Sequence, residues 1–200
     1  MSKTLIDFIR HGEPVGGRRY RGKTDDPLSE KGWAQMRQAV EARCPWTRIV
    51  SSPLRRCAEF ARELSERRQI PVAIDERLAE LGYGAWEGKT SAEIEAADHG
   101  AIRRYRRDPV HCRPAGAEDL EAFTTRFGAA WNDLLTDCAG QHALVVAHAG
   151  IIRMALAHVL DIPPGSMFRI EVANAAITRF KIEGQGNDAL ASLVFHDGRL

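Results

Sequence analysis

Residues 4–13 read Thr4-Leu5-Ile6-Asp7-Phe8-Ile9-Arg10-His11-Gly12-Glu13, and the fold follows from how that run ends. Residues 4–9 are short, apolar and β-rich, the pattern of a buried strand rather than of a helix, which needs a longer periodic stretch. The run stops on Arg10-His11-Gly12, so reactive side chains stand at the carboxyl end of the strand.

Beyond this run, strand and helix patterns alternate. A Gly- and Arg-rich loop covers 11–28, Ser29 is placed to cap a helix over 30–43, and Pro45 ends it. Residues 48–51 form a second strand. Pro53 suits the first turn of the next helix, where Leu54, Cys57, Phe60, Ala61 and Leu64 share one face. A third strand is expected at 71–74, short helices from Ser91 and over 100–107, and a long helix over 118–136. Residues 143–147 read as a central strand and 150–160 as a helix stopped by Pro163-Pro164. Strands at 167–172, 176–182 and 190–195 complete the pattern. Strand–helix units of this kind predict an α/β fold, a three-layer α/β/α sandwich on a mostly parallel sheet. One domain over 1–200 is expected from the length. In such sheets ligands bind beyond the carboxyl ends of the strands.

Composition removes several function classes. With 28 Lys+Arg against 27 Asp+Glu, the net charge of +1 argues against a nucleic-acid or polyanion binder. No stretch approaches the ~20 apolar residues of a membrane helix, and Asp7 interrupts any signal-like start. Cys44, Cys57, Cys112 and Cys138 are scattered, which fits reduced thiols and a cytoplasmic location.

Three predicted strand ends carry chemistry: Arg10-His11, the run Ser51-Ser52-Pro53-Leu54-Arg55-Arg56, and His148-Ala149-Gly150. A lone histidine after a strand is ordinarily a turn or packing residue. Two beside arginines on one sheet edge point instead to an anion site. Arginine forks match phosphate oxygens, helix-start amides add donors, and a neutral histidine offers a lone pair to phosphorus. The predicted chemistry is phosphoryl transfer through a phosphohistidine. Leu78-Ala79-Glu80-Leu81-Gly82-Tyr83 and Trp86-Glu87-Gly88 supply two acids for the leaving oxygen. Glu80, among apolar neighbours, is the better general acid, since an apolar setting and a bound phosphate both favour a protonated carboxyl. Nucleotide-binding P-loop, serine-elbow and zinc-protease patterns are absent from the sequence.

Together these segments resemble the histidine phosphatase (phosphoglycerate mutase-like) superfamily, in order from Phe8 to Arg153. The resemblance implies His11 as the phosphorylated nucleophile, Arg10, Arg56 and His148 as its phosphate pocket, and Glu80 as proton donor. Arg21, Gly22 and Ala149 are expected at the substrate, and neither a metal nor an organic cofactor is implied. The run Arg21-Gly22-Lys23-Thr24-Asp25-Asp26-Pro27-Leu28, with Lys31-Gly32-Trp33, resembles the α-ribazole phosphatase branch. That branch implies α-ribazole 5′-phosphate as substrate in cobalamin assembly. A phosphoglycerate mutase, a broad sugar-phosphate phosphatase and a non-catalytic phospholigand-binding module are the alternatives. The implied partner is a small phosphorylated metabolite, with no nucleic acid and no membrane; a homodimer is left open.

Departures from the family pattern fall on substrate binding. Gly17 stands where an Asn often helps bind phosphate, Arg21 where Ser or Thr is usual, and Ala149 inside the usual H-G-G. The usual P-G-G-E-S becomes Ala115-Gly116-Ala117-Glu118-Asp119. At least one of Arg18, Arg19 and Arg21 is expected to touch substrate. Arg103, Arg104, Arg106 and Arg107 read first as a solvated helix face and second as a rim attracting anions. Trp33 and Trp131 read as core. His99, His111, His142 and His158 read as surface or packing residues, with His111 in a loop that borders the pocket.

Overall fold

The computed structural model describes residues 3–184 and 188–198. The opening strand β1 (Thr4–Arg10) is the pivot of the sheet. It pairs in parallel with β4 (His142–Ala147) and antiparallel with β5 (Ile177–Glu183). With β2 (Arg48–Ser51), β3 (Val72–Ile74) and β6 (Leu190–Gly198), the order is β3-β2-β4-β1-β5-β6. The first four strands run parallel, β5 runs antiparallel to β1, and β6 runs antiparallel to β5, so the sheet is mostly parallel as expected.

Side chains alternate across the strands and divide the core in two. Ile6 and Phe8 of β1 and Val145 of β4 pack under α5 (Leu120–Asp137) and α6 (Ala149–Val159), against Phe123, Phe127, Trp131 and Ile152. Ile9, Leu144 and Val146 point the other way, to α1 (Glu30–Glu41) and α2 (Arg55–Arg68), against Met36, Val40, Phe60 and Leu64. Helices thus cover both faces. The short helices α3 (Ser91–Ala97) and α4 (Ala101–Arg107) stand at the sheet's carboxyl edge, with Tyr105 of α4 reaching the first core. Trp131 is core, as expected, whereas Trp33 is half-buried against Phe60 with Arg37 over its ring. Among the described residues no helix is long and apolar enough to cross a membrane, and the four cysteines are free.

Two element assignments need correction. The strand expected at 167–172 is absent: Pro164–Arg169 forms a 3-10 helix, and the following residues join no ladder. Pro163 and Pro164 offer no N–H to a ladder, and Ser166 N–H closes instead on the Pro163 carbonyl at 2.8 Å. The Ile170 and Val172 carbonyls then accept from Arg153 and Arg10. The long helix starts at Leu120 rather than at residue 118, because Asp119 caps it through the N–H groups of Glu121 and Ala122. Glu118 is thereby left outside the helix, free for another task.

Candidate active site

The order β2-β4-β1 brings the three reactive strand ends side by side. His11 N–H donates to the Ala147 carbonyl at 3.0 Å, and Ser52 N–H to the Val146 carbonyl at 3.0 Å. The His11 and His148 rings lie 5.2 Å apart. α1 crosses this edge at backbone contact: a Cβ on Gly12 would fall 2.2 Å from the Gly32 carbonyl oxygen. That approach explains glycine at both positions.

His11 Nδ1 is 2.7 Å from the Gly12 carbonyl oxygen. A carbonyl can only accept, so Nδ1 carries the proton and Nε2 keeps its lone pair. Burial, then the Arg56 and Arg10 charges, hold the His11 pKa well below the usual histidine range. His148 is fully buried and lowered likewise by burial, Arg56, His11 and Arg10, and its Nε2 lies 2.6 Å from Ser52 Oγ. Both rings are neutral at neutral pH.

Arg56 is 1% exposed, an exceptional position for a guanidinium. It reaches the loop after His11 and donates to the Thr24 and Gly22 carbonyls at 2.7 and 2.9 Å. Arg10 donates to the Val172 carbonyl at 2.5 Å. The Nε groups of Arg10 and Arg56 are buried without a hydrogen-bond partner among the described residues. Unspent charged donors beside a neutral histidine form a site that fits a phosphoryl group.

Glu80 is buried on the same cleft. Its Oε1 accepts from Leu81 N–H at 3.0 Å and Gly150 N–H at 3.1 Å, and its Oε2 from Gly150 at 3.3 Å. Oε2 is the freer oxygen. Glu87 does something else: its carboxylate accepts from Tyr83 N–H, Lys23 N–H and the Thr24 hydroxyl, tying two loops together. The geometry therefore separates the two acids that the sequence left side by side.

Arg10, His11, Arg56, Glu80 and Ala149 line a cleft of about 480 Å³, while His148 is buried behind it and, like Glu87, is not among its lining residues. Arg18, Arg19, Arg21 and Gly22 of the loop after His11 also line it, as do Arg106 and the aromatic rings of Tyr83, Tyr105 and Phe168. Arg21 is less available than its position implied, since it pairs with Asp26 at 2.9 Å and donates to the Val15 carbonyl at 2.7 Å. Gly22 has φ +51°, and a Cβ there would strike Glu87, so glycine is needed for the loop path. Gly17 lines the cleft with no side chain to offer. His111 lies off it, bonded to Asp108.

Several groups escaped the sequence reading. Arg126 of α5 donates to the carbonyls of Arg77, Ala79 and Glu80 and forms a two-pronged ion pair with Glu118. Glu118 also accepts from Gly82 N–H at 3.0 Å. Together they clamp the segment that presents Glu80. Asn174 donates to the His11 carbonyl at 2.9 Å from the loop before β5. Arg153, five residues after His148, lines the cleft as well. Glu118 carried a faint signal as part of the altered Ala115–Asp119 stretch; Arg126 carried none.

An α/β sandwich with paired histidines, arginines and a glutamate at its carboxyl edge defines a phosphoryl-handling enzyme scaffold. The chain matches the histidine phosphatase superfamily (branch 1) over residues 6–193 and belongs to that superfamily. It is 31% identical over 196 residues to the bifunctional protein Rv2228c of Mycobacterium tuberculosis, covering 94% of this chain and 54% of that one. The chain thus spans about half the length of that relative. It is 31% identical over 173 residues to the adenosylcobalamin/alpha-ribazole phosphatase of Salmonella typhimurium, covering 82% of this chain and 84% of the other. The solved structure of a mycobacterial glucosyl-3-phosphoglycerate phosphatase with VO3 superposes with a TM-score of 0.86 at 30% identity, covering 98% and 99% of the two chains.

Proposed function

We propose that this protein is a phosphomonoesterase that works through a phosphohistidine on His11. The observation that carries the reading is the His11 ring itself, buried between Arg10 and Arg56 with its Nδ1 proton held by Gly12. In the first step the His11 Nε2 lone pair forms a bond to phosphorus while the bond to the leaving oxygen breaks. Arg10, Arg56 and His148 hold the phosphoryl oxygens, where charge must be stabilised in a water-poor setting. Glu80, through Oε2, gives its proton to the leaving oxygen. In the second step water attacks phosphorus, the N–P bond breaks, and Glu80 takes the proton back. The products are an alcohol and inorganic phosphate.

The substrate is a small phosphorylated metabolite. α-Ribazole 5′-phosphate is supported by the loop from Arg21 to Leu28 and by the Salmonella relative; a glucosyl phosphoglycerate is supported by the mycobacterial relative. Both belong in one substrate panel. The function is tested with a chromogenic phosphate ester: wild type releases phosphate, and His11→Ala does not. Absence of release from every ester, with phosphate still bound, supports the phospholigand-binding alternative. Transfer of phosphate to 3-phosphoglycerate in place of release would make the protein a mutase.

A further inference from the structure

Arg10 and Arg56 suffice to receive one phosphate, yet the same cleft holds three further guanidinium groups that have no carboxylate. Arg18, Arg106 and Arg153 all line it, and none has an ion-pair partner among the described residues. The contrast with neighbours is direct: Arg21 in the same loop is matched by Asp26, and Arg104, beside Arg106 on α4, by Asp98. Glu171 and Asp197 line the cleft too, but neither comes within ion-pairing distance of the three.

Arg153 is the most informative. It is half-buried, and one hydrogen bond, from Nε to the Ile170 carbonyl at 2.7 Å, aims it. It lines the cleft with Tyr83 and Tyr105, whose hydroxyls burial and then Glu80 push up and the Arg153 charge pulls back. Its charge also reaches Arg10: burial lowers the Arg10 pKa most, Glu80 opposes this, and Arg153 and Arg18 lower it further. Holding several like charges around one cleft is unfavourable until anions enter it. A single phosphate between Arg10 and Arg56 leaves Arg153 without a partner.

We infer that the leaving group of the substrate carries a second anionic group, a carboxylate or a second phosphate, received by Arg153 with Arg18 and Arg106 at the rim. The inference rests on the phosphomonoester reading of the cleft and narrows its substrate class. The wall of Tyr83, Tyr105 and Phe168 beside Arg153 leaves room for the carbon skeleton between the two anions. A neutral leaving group, such as an unmodified nucleoside, would use the wall and leave Arg153 unmatched.

The test is equilibrium binding to His11→Ala, which holds ligands without turnover, so its outcome does not depend on catalysis. Two matched pairs are titrated by calorimetry at fixed salt: 3-phosphoglycerate against glycerol 3-phosphate, and fructose 1,6-bisphosphate against fructose 6-phosphate. The first pair reports a carboxylate and the second a phosphate. The doubly anionic ligand of at least one pair is expected to bind at least tenfold tighter. Adding Arg153→Met should abolish that preference and Arg153→Lys should keep part of it. Arg107→Ser, which removes a positive charge off the cleft, should leave the preference intact. Equal affinities within both pairs would overturn the inference, as would a preference that survives Arg153→Met or is lost equally in Arg107→Ser. Failure of the phosphatase reading shows elsewhere, as no phosphate release by wild type from any ester.

Discussion

The Gly150 N–H points at the Glu80 carboxylate, 3.1 Å from Oε1 and 3.3 Å from Oε2, and a Cβ on Gly150 would fall 2.2 Å from Oε1. The first turn of α6 therefore fixes where the Glu80 carboxylate sits, and only glycine permits it. Ala149, one residue earlier, faces the cleft and faces no such limit.

Gly150→Ala is expected to displace Glu80 with little global cost, because the obstructing atom is the end of a side chain. Phosphatase activity should fall about 100-fold, in the range for losing a general acid, while stability changes by about 1 kcal/mol. Gly12→Ala meets the Gly32 backbone instead and should cost about 3 kcal/mol. Steady-state kinetics and urea unfolding of the two variants separate these effects.

Arg126→Met removes the donor to three carbonyls and leaves Glu118 without its cation. A loss of about 2–4 kcal/mol is expected, with a lower kcat from the unsupported Glu80 segment. Arg126→Lys should recover part of the stability but less of the kcat, since one ammonium cannot span the same set of acceptors. Urea midpoints and kcat measured side by side check this.

Stability should also depend on pH through His11 and His148. In the unfolded chain each titrates near 6.5, and in the fold burial and then Arg56 hold both well below it. Between those values the unfolded state binds more protons, so the contribution is complete above pH 6.5 and is lost as pH falls below it. The slope is about 1.4 kcal/mol per pH unit for each histidine. His148→Asn should flatten the dependence of the unfolding free energy just below pH 6.5; an unchanged slope would show that His148 is not buried in neutral form.

Asp7 anchors a second polar network, away from the cleft. It accepts from Arg179 at 2.7 and 2.8 Å and from Trp46 at 2.8 Å, with His142 Nε2 at 2.9 Å. Burial would raise its carboxyl, but those hydrogen bonds overcome burial and hold it below the usual carboxylate range. Asp7→Asn should cost about 2–4 kcal/mol by leaving the Arg179 charge partly buried and unmatched. KM for a chromogenic ester should stay within about twofold, as none of these residues lines the cleft.

Much of this was legible along the chain because it is local. The run from Thr4 to Arg10 declares a buried strand by itself, and three strand ends with His or Arg declare an anion site once the sheet is parallel. What escaped is tertiary. Asp7 was visible as an oddity inside an apolar strand, but its partners lie 39, 135 and 172 residues away. Arg126 sits on a helix whose apolar periodicity gives no hint of the loop it clamps. Residues 167–172 carry β-prone side chains but form no strand, because side chains from elsewhere take their carbonyls: Arg153 that of Ile170 and Arg10 that of Val172. His142, read as packing or surface, closes the Asp7 network, a role only the β1–β4 pairing creates.

If phosphate passes through His11, the phosphorylated enzyme can be trapped. Wild type is mixed briefly with a phosphate ester, quenched in alkali, where phosphohistidine survives and phosphoserine-type esters are distinguishable, and digested for mass spectrometry. The expected result is a phosphoryl group on the peptide containing His11, lost on acid treatment and absent from His11→Ala. Phosphate release by wild type with no phosphorylated His11, or undiminished release by His11→Ala, would contradict it.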